Sequence, residues 1–210
     1  MNRQYITVGL TGQTGSGKSS AAVFFRENGF FVIDCDKVAR SVTSDGSDCC
    51  KALKDRFPGC VDDGLRLDRR ALGNIVFNSP EDLEALNRLI FPFILAEIER
   101  IRDGALEQGE RFIMLDAPTL FDSGANSLCD TVVSCIADED VRRERIMLRD
   151  GLTAQQAQSR IKAQKSEDFF IRHSDIVIEC CGKYDSLSRA ARFLSIQLKG
   201  ILYGSSKKQK

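Results

Sequence analysis

The sequence predicts an α/β fold in which a five-stranded parallel sheet lies between two layers of helices. Five short segments are apolar almost throughout, as in strands buried on both faces, and segments with helical periodicity alternate with them. The predicted strands are residues 6–10, 30–34, 112–116, 131–136 and 175–179. Parallel strands joined by helices need crossover connections, which place helices on both faces of the sheet.

The composition is that of a globular protein. The 210 residues are 42% hydrophobic and 29% charged, and 30 basic side chains balance 30 acidic ones. This balance gives no support for nucleic-acid binding, and no apolar run is long enough to cross a membrane. The eight cysteines include no Cys-x-x-Cys pair, and the first residues do not resemble a signal peptide. We therefore expect a cytoplasmic protein with reduced thiols.

The strand pattern is interrupted by a long helical stretch. Residues 37–108 contain no convincing buried strand, so we expect them to form a helical insertion. The core is then formed by residues 1–36 and 109–204. One helix of the insertion starts at Pro80, and Pro92 is expected to break or kink it, with a second helix following.

A glycine-rich segment lies between the first predicted strand and the first predicted helix. It fits the pattern G-x-x-x-x-G-K-[ST] and comprises Gly12, Gln13, Thr14, Gly15, Ser16, Gly17, Lys18 and Ser19, called the phosphate loop below. Glycines let backbone N–H groups surround phosphate oxygens, and the helix start adds partial positive charge. We expect Lys18 to reach the β- and γ-phosphates of ATP and the Ser19 hydroxyl to ligate Mg²⁺.

Three acidic residues lie at the ends of predicted strands. Asp116 has the position of the acid that helps to hold Mg²⁺ in phosphate-loop enzymes. Asp34 and Asp36 are separated by one residue, and on an extended chain both point to the same side, so we expect both to face the nucleotide. One of the two can act as the base for an acceptor hydroxyl, with the other near Mg²⁺ or in a supporting role.

Basic residues cluster in the second half of the chain. Arg142, Arg145 and Arg149 lie at helical spacing on one face, and residues 149–172 are polar with two predicted helical pieces. Arginines stabilise a transferred phosphoryl group, and a basic segment that closes over ATP excludes water. We therefore expect residues 149–172 to form a lid, called the lid segment below. A solvated charged face is the alternative for Arg142 and Lys165. His173 is interpreted as structural.

Together these stretches resemble the dephospho-CoA kinase family, over most of the chain. The resemblance is carried by residues 9–12, by Val32-Ile33-Asp34-Cys35-Asp36 with Ala39-Arg40, by Leu67-Asp68-Arg69-Arg70-Ala71-Leu72, by Asp116-Ala117-Pro118, by Arg145, Arg149, Arg160 and Gln164, and by Gly182. It implies a three-layer P-loop kinase fold with a substrate-binding helical insertion and a lid. Two departures are Phe91-Pro92 in place of His-Pro and Cys180-Cys181 in place of a polar pair.

The resemblance implies an ATP-dependent phosphotransferase with an alcohol acceptor. It would phosphorylate the ribose 3′-hydroxyl of dephospho-CoA and give CoA and ADP, the last step of coenzyme A biosynthesis. Asp36 is then the better candidate for the base, with Asp34 beside it, while Lys18 and Arg149 offset the developing charge. Arg145 and Arg149 would bind ATP beside the phosphate loop, and Ser19 and Asp116 would hold Mg²⁺. The residues expected to contact the acceptor are Thr11, Asp36, Arg40, Arg69, Asp116 and Pro118.

The motifs also allow two other interpretations. Another P-loop nucleoside or nucleotide kinase would share the fold and the lid, and only the insertion and the context of Asp34 and Asp36 separate it from this family. A nucleotide switch is the second alternative, but the sequence lacks the N/T-K-x-D motif that reads guanine. The protein is expected to be a monomer or a small homo-oligomer.

Overall fold

The computed structural model describes residues 4–180 and 184–204 of the chain. It divides into two compact units, Met1–Ile33 with Ala105–Lys210, called the sheet unit, and Asp34–Gly104, called the helical unit. Cys181 and Gly182, which the sequence comparison with the family used, lie outside the described residues.

The strands are β1 (Ile6–Gly12), β2 (Phe31–Asp34), β3 (Phe112–Asp116), β4 (Thr131–Ile136) and β5 (Ile176–Glu179). They form one five-stranded sheet in the order β2-β3-β1-β4-β5. Strand β1 pairs in parallel with β3 and β4, and β4 pairs in parallel with β5. The predicted strands and the parallel α/β class are confirmed, because short segments that are apolar almost throughout are a strong local signal for strands covered on both faces.

Helices connect the strands. In chain order they are α1 (Lys18–Glu27), α2 (Cys35–Val42), α3 (Asp48–Arg56), α4 (Arg69–Val76), α5 (Pro80–Glu107), α6 (Glu139–Asp150), α7 (Ala154–Lys162), α8 (Glu167–His173) and α9 (Tyr184–Gly204). The two helical pieces expected in the lid segment are α7 and α8. In the described part of the chain, no helix has both the length and the apolar character that a membrane crossing requires.

Strand β1 occupies the centre of the sheet and is buried along its whole length. Ile6, Val8 and Leu10 project to one face, where they share a core with residues of α1 and α9. Ser134 of β4 lies on the other face by alternation, and its hydroxyl hydrogen bonds with that of Ser174, just after α8, at 2.5 Å. Because both faces are covered, the end of β1 is held rigidly, and the phosphate loop begins from a fixed point.

The helical unit has an apolar core of its own. Residues of α3, α4 and α5 meet in it, among them Leu53, Leu72 and Val76, which are buried. Helix α4 starts at an Asp68 cap, whose carboxylate accepts the N–H groups of two residues in the first turn at 2.9 Å each. The unit therefore has the sequence signals of a stable helical fold, an apolar face on each helix and capped ends.

The expected break at Pro92, with a separate helix after it, was wrong. Helix α5 continues from Pro80 to Glu107 as one element with Pro92 inside it. Proline removes one backbone hydrogen bond and costs about 3 kcal/mol in a helix interior. On the same helix, Leu89 and Ile90 pack against the core of the helical unit and Ile98 is buried. Full burial of a side chain such as Ile98 contributes about 1.5–3 kcal/mol, and the partial burial of Leu89 and Ile90 adds to it, so packing along the helix outweighs the local penalty.

Candidate active site

The phosphate loop leaves β1 at Gly12 and enters α1 at Lys18. Gly12, Gly15 and Gly17 have φ angles of 145°, 77° and 98°, values that residues with a side chain rarely adopt. A Cβ atom at Gly12 would lie 2.3 Å from the carbonyl oxygen of Cys135, and one at Gly15 would lie 2.8 Å from the carbonyl oxygen of Arg142. The loop is thus a tight backbone cradle at a helix N-terminus, an arrangement that suits the phosphates of a nucleotide.

Two polar side chains of the phosphate loop point away from solvent. Gln13 and Ser16 are buried, and the Ser16 N–H donates to the Gln13 carbonyl at 3.1 Å. Within the described residues, Gln13 Oε1 and Ser16 Oγ have no hydrogen-bond partner. Because both side chains are buried, any contribution of Gln13 to nucleotide binding would come mainly from its backbone N–H group, whereas the N–H group of Ser16 already binds within the loop.

Lys18 and Asp116 meet at the start of α1. The Lys18 ammonium group donates to Oδ1 of Asp116, and the two side chains are 15% and 16% exposed. Parallel pairing of β1 with β3 puts Asp116 opposite Leu10, two residues before the phosphate loop, and so brings the carboxylate to the loop. Ser19 follows Lys18 and is exposed.

The oxygen atoms beside Lys18 suit a magnesium ion. Mg²⁺ is commonly held by one or two protein oxygen ligands together with substrate phosphates and water. The Asp116 carboxylate and the Ser19 hydroxyl offer that chemistry at the phosphate loop. Among the described residues, no group of three or more His, Cys, Asp or Glu side chains forms a larger metal centre.

Two arginines of α6 hold the phosphate loop from outside. Arg142 Nε donates to the Thr14 carbonyl at 3.0 Å, and Arg145 Nη1 donates to the Gly15 carbonyl at 3.1 Å. Arg142 is only 3% exposed, so the alternative that it lies on a solvated face was wrong. Burial lowers the pKa of its guanidinium, which still remains protonated at neutral pH.

The end of α6 and the helix α7 are joined through one carboxylate. Arg149 donates from Nε and Nη2 to the two Asp150 oxygens at 2.8 Å each, and Arg160 donates to Asp150 at 2.5 Å. The hydrogen bond from Arg149 lowers the pKa of Asp150 below its usual value. Arg149 is exposed, so its guanidinium lies at the surface of the sheet unit at the start of the lid segment.

An aromatic cluster packs around α8. His173 stacks on Phe169 with ring centroids 4.1 Å apart, and Phe121 meets Phe169 edge-on at 5.3 Å. Lys165 lies 4.5 Å from the centre of the Phe169 ring and 3.0 Å from the carboxylate of Asp122. These contacts attach α8 to the segment that follows β3 and give His173 a packing role.

The expected arrangement of Asp34 and Asp36 was wrong in its premise. The chain is not extended across this pair, because α2 starts at Cys35. Asp34 caps that helix, and its carboxylate accepts the Lys37 N–H at 3.0 Å. Asp36 lies in the first helical turn and is exposed. Helical residues are rotated by about 100° each, so the two-residue alternation of a strand does not apply.

A pocket of about 530 Å³ lies in the helical unit. Asp36, Arg40 and Arg69 line it together with apolar side chains, among them Leu72 and Ile90. The structure therefore brings three of the predicted acceptor-binding residues together. Its lining offers two cations, one carboxylate and an apolar surface, which suits a ligand with both anionic and apolar parts.

Two further predicted acceptor residues, Thr11 and Pro118, lie in the sheet unit. The Thr11 hydroxyl donates to the Pro118 carbonyl at 3.3 Å. Thr11 is completely buried and Pro118 is exposed. Of these two, only Pro118 presents its side chain to solvent.

A family model described as "CoaE: Dephospho-CoA kinase" matches residues 6–185. The chain belongs to the dephospho-CoA kinase family. This family consists of P-loop kinases, which use ATP and act on a small molecule. The match spans the phosphate loop, the pocket residues and the whole lid segment.

Individual proteins and solved structures are similar to nearly the whole chain. The protein named dephospho-CoA kinase from Geobacillus kaustophilus is 35% identical over 185 residues, which are 88% of this chain and 92% of that protein. The crystal structure of TT1252 from Thermus thermophilus has a TM-score of 0.76 at 32% identity and covers 93% of this chain and 98% of that one. Dephospho-CoA kinase from Campylobacter jejuni has a TM-score of 0.64 at 23% identity, covers 95% of this chain and 98% of that one, and shows the same fold.

Sequence reasoning about this member of the dephospho-CoA kinase family assigned no role to two groups that organise the site. One is the carboxylate of Asp150, which joins Arg149 to Arg160. The other is Gln164, whose Oε1 accepts the Thr14 N–H at 2.8 Å. A carboxylate next to Arg149 was a visible signal for the first. Gln164 was named only for its resemblance to the lid of the family, because its contact with Thr14, 150 positions away, leaves no local signal.

Proposed function

We propose that the protein phosphorylates the ribose 3′-hydroxyl of dephospho-CoA with ATP and releases CoA and ADP. The phosphate loop, with Lys18 at its end, carries this proposal, because its geometry suits the triphosphate of a nucleotide. Membership of the dephospho-CoA kinase family supports the choice of acceptor.

Binding of ATP is assigned to the sheet unit. Backbone N–H groups of the phosphate loop and the Lys18 ammonium group would bind the β- and γ-phosphates, and Lys18 would offset the charge that develops during transfer. Mg²⁺, held by the Ser19 hydroxyl and the Asp116 carboxylate, would neutralise charge on the phosphate oxygens. Arg149 is an exposed cation that can add to this stabilisation once it leaves Asp150.

Binding of the acceptor is assigned to the pocket of the helical unit. Dephospho-CoA carries a pyrophosphate and a long, less polar arm, and the pocket combines Arg40 and Arg69 with apolar side chains. Asp36 lines this pocket, so it is our candidate for the base that accepts the proton of the 3′-hydroxyl. Asp34 caps α2 and is assigned a supporting role.

The test is a direct comparison of acceptors. The purified protein is incubated with Mg²⁺, ATP and either dephospho-CoA or one member of a panel of nucleosides and nucleoside monophosphates, and products are identified by mass. We expect ADP release to require dephospho-CoA and the product to carry one added phosphate on the ribose. Equal or greater turnover with a nucleoside would favour another P-loop kinase activity instead.

We also propose that the protein works in the cytoplasm as a monomer or a small homo-oligomer. Cys49, Cys129 and Cys135 are free thiols in the structure, which suits a reducing compartment. Light scattering coupled to size-exclusion chromatography measures the assembly state, and a mass above that of a small oligomer would contradict this proposal.

A further inference from the structure

The backbone of Thr14, in the phosphate loop, is held on both sides by side chains from outside the loop. Its N–H donates to Oε1 of Gln164 at 2.8 Å, and its carbonyl accepts from Nε of Arg142 at 3.0 Å. The two side chains also approach each other, with Arg142 Nη2 lying 3.5 Å from Gln164 Oε1, the outer limit of a hydrogen bond. Thr14, Arg142 and Gln164 therefore form one connected polar group.

The Arg142 side chain lies inside the sheet unit, where water cannot easily take over its hydrogen bonds. Its side chain is almost fully buried, and a buried guanidinium needs hydrogen-bond acceptors to offset the loss of hydration. The Thr14 carbonyl is one of those acceptors. The backbone of Arg142 also presses against the loop, since its carbonyl oxygen would lie 2.8 Å from a Cβ at Gly15. Helix α6 thus supports the loop along its outer side.

Gln164 reaches the same point from the lid segment, just after α7. Its own N–H donates to the carbonyl of Ile161 at 3.2 Å, so its position follows from the end of α7. That helix packs on α6 through Ile146, Ala157 and Ile161, which form a small buried cluster. Gln164 is exposed, and nothing in this packing depends on its side chain.

We infer that Arg142 and Gln164 are positioning residues that fix the phosphate loop through Thr14 before ATP binds. A backbone that is already fixed at Thr14 loses less conformational entropy when the loop binds the phosphates. ATP binding is therefore stronger, although neither side chain contacts the ligand. Gln164 in addition links the loop to the lid segment. The inference rests on the proposed function only in taking ATP as the ligand of the loop.

The test compares Gln164→Ala with Gln158→Ala. Gln158 is the matched control, because it is a second lid glutamine whose amide donates to Glu139 at 2.7 Å and not to the loop. Hydrogen exchange of the Thr14 amide is followed by NMR, and ATP affinity is measured by calorimetry without any acceptor. We expect Gln164→Ala to speed Thr14 exchange and raise the Kd for ATP, each about three- to tenfold, and Gln158→Ala to change neither.

Gln164→Glu keeps an acceptor oxygen at the same reach, so it should restore the protection of the Thr14 amide. Wild-type exchange and ATP affinity in Gln164→Ala would overturn the inference, as would an equal loss in Gln158→Ala, which would indicate general loosening of the lid segment. Failure of dephospho-CoA to be phosphorylated would overturn the proposed function but would not affect these acceptor-free measurements.

Discussion

The ammonium group of Lys18 donates a hydrogen bond to Oδ1 of Asp116, which joins the first residue of α1 to the last residue of β3. Both side chains are largely removed from water, so the attraction between them is screened less than that of a surface pair. We propose that Mg²⁺ and ATP replace this contact with two new ones, in which Lys18 meets a phosphate and Asp116 meets the metal.

Replacement of Lys18 tests the phosphate loop. Lys18→Ala should lower turnover at least about 100-fold, because a cation at the transferred phosphoryl group stabilises its charge. The protein should stay folded, since Lys18 is absent from the apolar core. Lys51→Ala removes an exposed ion pair with Asp48 and is the matched control. Turnover rates and circular dichroism check the result, and a Lys18 variant with most of its activity would refute the assignment.

Asp116→Asn tests the proposed metal ligand. Asparagine keeps the size and one oxygen acceptor of aspartate, but it lacks the negative charge that Mg²⁺ prefers in a ligand. We expect the Mg²⁺ concentration for half-maximal activity to rise about tenfold or more at fixed ATP. A titration with MgCl₂ measures it. An unchanged magnesium dependence would place the metal on other ligands.

A comparison of Asp34→Asn with Asp36→Asn tests which of the two carboxylates is the base and which has a supporting role. Asparagine caps helices nearly as well as aspartate, so Asp34→Asn should preserve the start of α2 and reduce kcat only modestly. Asp36→Asn should lower kcat at least about 100-fold with little change in the KM for ATP, as expected for loss of a general base. Steady-state kinetics with both substrates decide this, and the reverse order of effects would move the base to Asp34.

Arg69→Ala tests the pocket of the helical unit. Loss of a cation that binds an anionic acceptor should raise the KM for dephospho-CoA about tenfold and leave the KM for ATP unchanged. Arg69 also donates to the Thr43 carbonyl at 3.1 Å, so thermal unfolding must be measured alongside. Arg66→Ala is the control, since Arg66 makes an exposed ion pair with Asp62. Equal effects of the two changes on the KM would argue against acceptor binding by Arg69.

Two thiols predict how stability depends on alkaline pH, that of Cys49, which is buried, and that of Cys129, which is partly buried. Burial raises the pKa of Cys129 from 9.0 to about 12 and that of Cys49 from 9.0 to about 11. Between pH 9 and these values the folded state binds more protons than the unfolded state, so the free energy of unfolding falls as pH rises. Their stabilising effect is complete below pH 9 and is lost toward pH 11–12.

Urea unfolding at pH 8, 9 and 10 measures this dependence, and alanine substitution at both cysteines should flatten it. Thiol labelling of the folded protein at pH 8 should also be much slower at Cys49 and Cys129 than in urea, because little thiolate forms. Rapid labelling of the folded protein at both positions would contradict the burial of these thiols.

Local patterns predicted the sheet and the phosphate loop, and long-range packing decided what they missed. The strands and the loop at Gly12 were found because their signals are contained in a few consecutive residues. Pro92 misled the helix prediction because its penalty is local, whereas the packing that overcomes it comes from the whole of α5. The start of α2 at Cys35 had a local signal, the capping residue Asp34. The prediction overlooked it because it treated Asp34 and Asp36 as part of an extended chain. The bond between Arg142 and Thr14 spans 128 residues and had none.

The close approach of Cys135 to Gly12 and of Arg142 to Gly15 limits how this molecule can change. Even a single methyl group at either glycine would collide with a main-chain oxygen, and such an oxygen cannot turn aside as a side chain can. Substitution of these two glycines would therefore give little resistance to a drug that contacts them closely. The altered protein would no longer bind its own nucleotide.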